Sequence, residues 1–147
     1  MAAPEFEAYV DASARAFAME SPRLRHLAAE AALAASRAEL RELLPAGLAT
    51  AGQLLWSIFD DDALVGYMHL GVDKSDPFSM FVWDLEIAPE HRRRGCARAA
   101  LMFAMAHVKG LGIRRLGLNV FVENAAAMAL YTSMGFGVTQ SQMALEL

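Results

Sequence analysis

Several classes of protein are excluded by what this sequence lacks. It has one cysteine, Cys96, which rules out an internal disulfide framework and a multi-cysteine zinc site. No apolar run approaches the roughly 18 to 20 residues that a membrane-spanning helix needs. The N-terminus, MAAPEFEAYV, carries acids where a secretion signal has a basic start, and it lacks the apolar block that would follow. No internal repeat, low-complexity linker or second domain is visible. The expectation is one soluble domain spanning residues 1–147, in a reducing cytoplasm, with no membrane partner and no metal.

The chain is nevertheless long enough, at 147 residues and 56% hydrophobic, to bury a core without staples and to escape disorder. Its net charge of −4 is unevenly spread: residues 1–90 hold fifteen acids and six bases, residues 91–147 two acids and seven bases. The basic part suits an anion such as a phosphate-bearing cofactor, and the acidic part a cation such as an amine. A solvated surface with unequal charge would give the same counts.

Apolar spacing predicts a helix over residues 4–20, with Phe6, Val10, Ala14 and Phe17 on one face. A second helix is expected from Ser21-Pro22, Ser as N-cap and Pro at the first position, to about residue 44. Residues 53–59 and 64–71 read as a hairpin around Asp60-Asp61-Asp62, residues 72–77 as a polar loop and residues 78–87 as a third strand. Then come a helix over 95–109, a strand over 114–121, a helix over 124–134 and a last strand or pair of strands over 136–147. The order indicates an α/β (α+β) fold with a right-handed crossover between the third and fourth strands. His69 and His107 have no evident partners, and the nine methionines are expected in the core.

The stretch Ala88-Pro89-Glu90-His91-Arg92-Arg93-Arg94-Gly95-Cys96-Ala97 carries the chemistry. It joins a buried-looking strand to an apolar helix whose inward positions include Ala97, Leu101, Ala104, Met105 and Val108. A helix N-terminus offers unpaired N–H groups and the positive end of the helix dipole. Gly95 lets the backbone turn and approach a ligand, and Ala97 is small enough to allow the same. Together they make a nest for a pyrophosphate, to which Arg92, Arg93 and Arg94 add charge. The dipole contributes only about 0.3–1 kcal/mol at an exposed end, so the N–H groups and arginines must carry most of the affinity. Arginines at the positive end of a dipole oppose local preference, which favours a site over a water-facing helix start. Nucleic acid fits poorly: the basic cluster is short, no aromatics interleave it and the chain is acidic overall.

Arg92-Arg93-Arg94-Gly95-Cys96-Ala97 resembles the R/Q-x-x-G-x-G/A loop of the GNAT superfamily of acetyl-CoA-dependent N-acetyltransferases. Asn124-Ala125-Ala126-Ala127-Met128-Ala129-Leu130-Tyr131, followed by Gly135-Phe136, is similar to that family's N-x-x-A-x-x-L-Y-x-x-x-G-F signature, about thirty residues further on. The likeness covers residues 53–147 well, as an acetyl-CoA-binding core, and the helical residues 1–50, on the acceptor side, loosely. It implies a mixed, centrally splayed sheet flanked by helices. The family's usual first strand is missing, and a short last segment leaves a closing strand reduced or shared with a second subunit in a homodimer.

By the same resemblance, Leu85, Glu86 and Ile87 pair with the pantetheine arm as an added strand does. The Ile87 N–H faces the thioester oxygen, where losing a comparable donor costs roughly 2.7–4 kcal/mol. The N–H groups of Arg92, Arg93, Arg94, Gly95, Cys96 and Ala97 hold the pyrophosphate. Asn124 suits a helix N-cap in its own right, and in the family the matching residue also touches pantetheine. Tyr131 lies two helical turns on. It is either a core residue or, as the likeness implies, the acid that protonates the departing thiolate. The family's familiar base position falls on Phe81, which cannot take a proton.

Asp84 and Glu86 interrupt the apolar third strand, where an unpaired carboxylate is costly. Their spacing puts both on one face, away from Trp83 and Leu85 unless a bulge intervenes. Glu86 is the candidate base or amine-binding group, with pairing to an arginine as its other reading; for Asp84 structural pairing is preferred. Asn119, on the neighbouring strand, is a further polar candidate in the gap. Cys96 reads as a small loop residue, since no Cys–His pair is evident. The function implied is acetyl transfer from acetyl-CoA to a primary amine, and the alternative is a CoA-binding module without turnover.

Overall fold

A computed structural model describes residues 1–73, 75–141, 143 and 145. Helix α1 (Ala3–Glu20) opens with the Glu5 carboxylate accepting the Ala2 N–H at 2.6 Å, and Pro4 sits in the first turn, where a missing N–H costs nothing. Helix α2 (Ala29–Leu43) starts later than Ser21-Pro22 suggests: Pro22 heads a single 3₁₀ turn, and Ser21 is buried rather than capping an α-helix. Arg37 ties the two helices, donating to Asp11 at 2.7 Å.

The sheet has strands β1 (Gln53–Asp60), β2 (Ala63–Asp73), β3 (Asp76–Ile87) and β4 (Arg115–Leu118), in the order β1-β2-β3-β4. The first three are antiparallel, and β4 joins β3 in parallel after the crossover helix α3 (Cys96–Gly110). Residues 72–77, expected as a loop, are mostly strand, because the acids there close the turn. The Asp73 carboxylate accepts the Ser75 N–H at 2.8 Å, and Asp76 accepts that of Phe78 at 3.0 Å. Strand β4 stops at Leu118, so Asn119 lies just past a strand rather than on one. Helix α4 (Ala125–Ser133) follows. Of the strand expected over 136–147, residues 136–141, 143 and 145 lie in no strand, and Gln142, Ala144, Glu146 and Leu147 are outside the described residues.

Side chains alternate across the sheet, and each face buries a cluster. Met68, Leu70, Met80 and Val82 pack against Leu101, Ala104 and Val108 of α3. On the opposite face Tyr9 and Val10 of α1 meet Leu44 and Leu55. Each fully buried Leu or Val contributes about 1.5–3 kcal/mol. Met105, expected inward, is half-exposed, and of the described methionines only Met68 and Met80 are buried, while Met19 and Met102 face solvent. Helix α3 needs one narrow stripe for the sheet, so its remaining apolar residues turn outward. His107 does have neighbours: its ring stands edge-on to Trp56 at 5.2 Å and stacks on Phe103 at 6.0 Å. Among the described residues no helix is long and apolar enough to cross a membrane.

Candidate active site

Strand β3 changes partners in mid-course. Its parallel ladder to β4 ends at Val82↔Leu118, yet β3 runs on to Ile87, so residues 83–87 border an opening between the two strands. At the same point the pairing with β2 slips: Leu70 faces Val82 but His69 faces Asp84, which leaves Trp83 as the extra residue of a bulge. Beyond it, Ala88 donates to Val65 at 2.8 Å, so in the alternating antiparallel ladder Ile87 and Leu85 turn their N–H and C=O groups away from β2 and into the opening. Glu86, between them, turns its backbone to β2 and faces Tyr67. The mixed sheet thus parts where a splay is expected.

The bulge also changes which residues share a face. The Phe81 and Trp83 rings lie 4.9 Å apart on the side of His69 and α1, and Asp84 joins them there because it stands opposite His69. Glu86, two residues on, faces the same side, while Leu85 packs into the α3 core. Asp84 and Glu86 therefore do share a face, but with Trp83 rather than away from it. The intervening bulge is the reason.

The loop from β3 to α3 ends beside the opening. Gly95 is the N-cap of α3 at φ +90°, and Arg93 also takes a left-handed conformation at φ +64°, which non-glycine residues rarely adopt outside sites that require it. The first ladder bond of α3 runs from Ala99 to Gly95, so the N–H groups of Cys96, Ala97 and Arg98 are left to a ligand or water. A Cβ added at Gly95 would meet no protein atom within 4 Å, so space in front of this end is open. The arginines do not act alike. Arg92 donates through Nε to the Ile87 carbonyl at 2.8 Å, and Arg94 pairs with Asp60 at 3.2 Å and with His91 Nδ1 at 3.1 Å. These contacts fix the loop to the end of β3 and to the β1–β2 hairpin. Cys96 Sγ leans on the His91 carbonyl at 3.8 Å, with the His91 ring turned instead to Arg94.

Helix α4 places the second motif. Asn124 caps it, its Oδ1 accepting the Ala127 N–H at 3.1 Å. Tyr131 packs on the α3-side core with the Phe136 ring 5.7 Å away. Burial raises its phenol pKa, and the Asp84 charge raises it further, so Asp84 acts on Tyr131 electrostatically across the opening. Asn119 is exposed one residue beyond β4.

Asp84 acts on a second phenol, from the other side. Tyr9 of α1 is 1% exposed, and burial first, then the Asp84 charge, raises its pKa. His69, fully buried, does have partners: Nδ1 is 3.0 Å from the Tyr9 hydroxyl and Nε2 is 2.8 Å from Gln53 Oε1. An amide oxygen only accepts, so Nε2 carries the proton and the Tyr9 hydroxyl donates to Nδ1. Burial pushes the His69 pKa down to about 4, which leaves the ring neutral opposite Asp84.

The model of the acetyltransferase (GNAT) family matches residues 19–136, which takes in β3, the loop, α3 and α4 together. The chain belongs to the GNAT family of acetyltransferases. Among GNAT proteins it is 30% identical over 149 residues to the uncharacterized N-acetyltransferase YycN of Bacillus subtilis (strain 168), covering 100% of this chain and 96% of that one. The crystal structure of YycN superposes with a TM-score of 0.89, over 100% of this chain and 95% of YycN. A 55-residue stretch, 37% of each chain, is 36% identical to the [ribosomal protein bS18]-alanine N-acetyltransferase of Escherichia coli (strain K12). The PaiA N-acetyltransferase of Thermoplasma acidophilum, solved in complex with coenzyme A, shares the fold with a TM-score of 0.71 at 16% identity, over 97% of this chain and 89% of that one. This GNAT chain is thus an acetyl-CoA-dependent acyltransferase.

Two features of this GNAT site are not fixed by local sequence: the Tyr9–His69 pair, and whether a bulge intervenes in β3. Tyr9 lies on a loosely matching helix sixty residues from its partner His69, a separation that no local pattern reports. The bulge at Trp83 inserts one residue into an otherwise regular apolar strand, and only the partner's register reveals it.

Proposed function

We propose that the protein moves the acetyl group of acetyl-CoA to a primary amine of a small molecule or a peptide, by direct attack within a ternary complex. The observation that supports this reading is that, among the described residues, β3 has no ladder partner on the β4 side beyond Val82, so Leu85 and the Ile87 N–H are turned to the opening. Leu85 and Ile87 pair with the pantetheine arm. The backbone N–H groups of residues 92–97 hold the pyrophosphate, which the open space before Gly95 supports. Side-chain charge comes chiefly from Arg93, because Arg92 and Arg94 serve the loop itself.

Glu86, or a water beside it, takes the proton from the attacking amine. The amine nitrogen bonds to the thioester carbon, the Ile87 N–H stabilises the charge that gathers on oxygen, and the C–S bond breaks. Tyr131 gives its proton to the departing sulfur. Burial keeps that phenol protonated well above neutrality, which suits a donor. All 147 residues act as one domain in this proposal, which also allows a homodimer.

Thiol release from acetyl-CoA, followed across a panel of amines and peptides, tests the proposal. Tyr131→Phe should lower kcat by about 100-fold or more while leaving the KM for acetyl-CoA within twofold. Full turnover in that variant removes the role given to Tyr131. Phe81 at the family's base position favours the second reading, a binding module, whose signature is tight acetyl-CoA binding with no thiol release from any amine.

A further inference from the structure

The β1–β2 hairpin brings an acid to the loop that is read above as an anion site. Residues 53–73, which form β1, the turn and β2, contain no lysine or arginine, yet the turn is Asp60-Asp61-Asp62. Asp60 finds its cation outside the hairpin: its Oδ2 is 3.2 Å from Arg94 Nη2, one residue before the Gly95 N-cap of α3. Asp60, Arg94, Gly95 and Cys96 line one groove, so the carboxylate and the helix end face the same solvent space. A loop that only had to bind anions tightly would have no such neighbour, because an acid beside a phosphate repels it.

Arg94 does not depend on Asp60 alone for its place. Its Nη1 also donates to His91 Nδ1 at 3.1 Å, since a guanidinium can only donate. The side chains of Arg94 and Asp60 are 55% and 38% exposed, so water and salt screen the pair and hold it weakly. The main effect of the carboxylate is therefore on charge. While paired, Arg94 adds no net charge to the loop, and a phosphate arriving at the N–H groups of Cys96, Ala97 and Arg98 is met without it. If the phosphate draws Arg94 to itself, Asp60 loses its partner; if it does not, Arg94 stays neutralised. Either way the carboxylate lowers the affinity for an anion.

We propose that Asp60 is a counter-anion built into the cofactor site. By holding Arg94 it weakens the binding of acetyl-CoA and of CoA alike, and it thereby hastens the departure of CoA after transfer. The inference rests on the reading of residues 92–97 as the phosphate site. It adds a residue, distant in sequence, that sets how tightly that site holds its cofactor. Asp60 acts through Arg94 and touches no reacting atom.

Calorimetric titration with CoA tests it. Asp60→Asn keeps an oxygen that can accept from Arg94 and removes only the charge. It should tighten CoA binding about 3- to 10-fold at low salt, and the gain should fade as NaCl is raised to about 0.5 M. Asp61→Asn removes the same charge one residue on, at a left-handed φ of +52° that asparagine tolerates, and should stay within about twofold of wild type. In an Arg94→Gln background Asp60→Asn should change nothing, since the cation it frees is gone. In steady-state thiol release the inhibition constant of product CoA should fall in Asp60→Asn by the same factor as the dissociation constant. Weaker or unchanged CoA binding in Asp60→Asn overturns the inference, and so does an equal gain in Asp61→Asn or a gain that survives Arg94→Gln. If no form binds CoA, wild type included, the phosphate-site reading falls and the inference with it. Should Asp60→Asn fail to fold, Asp60→Ser, also neutral, carries the same expectations.

Discussion

Arg92 Nε donates to the Ile87 carbonyl across 2.8 Å, so the first arginine of the loop grips the residue whose N–H faces the opening. The loop before α3 and the end of β3 are thereby one unit. Hydrogen bonds from a charged donor are worth about 1.5–3 kcal/mol. Arg92→Ala should therefore lower kcat/KM for acetyl-CoA roughly 10- to 100-fold, and Arg92→Lys should recover little, because an ammonium cannot present the planar Nε–H. Steady-state thiol release measures both, and a wild-type value in Arg92→Ala would show that the tie is dispensable.

Gly66 guards the same strand end from the other side. It pairs with Ile87, and a Cβ there would collide with the Glu86 carbonyl oxygen and with the Ile87 side chain. Backbone cannot yield as a long side chain can, so Gly66→Ala should cost about 3 kcal/mol, the upper end of overpacking penalties. Urea unfolding measures it. A loss below about 1 kcal/mol would mean that the β2–β3 ladder can move apart there.

The elements legible in the sequence are those set by local chemistry. Periodicity marks α1 and α3, the Asp60-Asp61-Asp62 turn marks the hairpin, and Gly95 marks the start of α3. What stayed hidden depends on partners distant in sequence. Ser21-Pro22 looks like a helix start, yet Ser21 is buried and its carbonyl accepts the Leu24 N–H in a single 3₁₀ turn that precedes α2. Three consecutive arginines look alike in sequence, but contacts with Ile87 and Asp60 separate their roles. The face on which Asp84 lies hangs on one slipped pair between β2 and β3.

Asn124 offers a way to separate capping from cofactor contact. Its side chain accepts from the Ala127 N–H at 3.1 Å, and losing such a cap costs about 1 kcal/mol. Asn124→Ala should lower stability by that amount, whereas Asn124→Ser, another good cap, should restore it. If Asn124 also touches the pantetheine arm, the KM for acetyl-CoA rises in both variants. If it only caps, the KM in Asn124→Ser is that of the wild type.

His69 should make stability depend on pH in a defined window. In the unfolded chain it titrates near 6.5, and in the fold burial pushes it down to about 4. Between those values the unfolded chain binds more protons than the native one, so stability rises with pH there. The contribution is fully present above about pH 6.5 and is lost as pH falls toward 4. At about 1.4 kcal/mol per pKa unit the loss reaches on the order of 2 kcal/mol by pH 5. Urea unfolding at pH 7.5 and pH 5 should show it in the wild type and not in His69→Gln, whose amide stays neutral throughout. That variant starts from a lower stability, because the Tyr9 hydroxyl and Gln53 lose a well-placed partner. The comparison is therefore between slopes. Equal slopes in the two proteins would mean that the imidazole charges freely in the folded state.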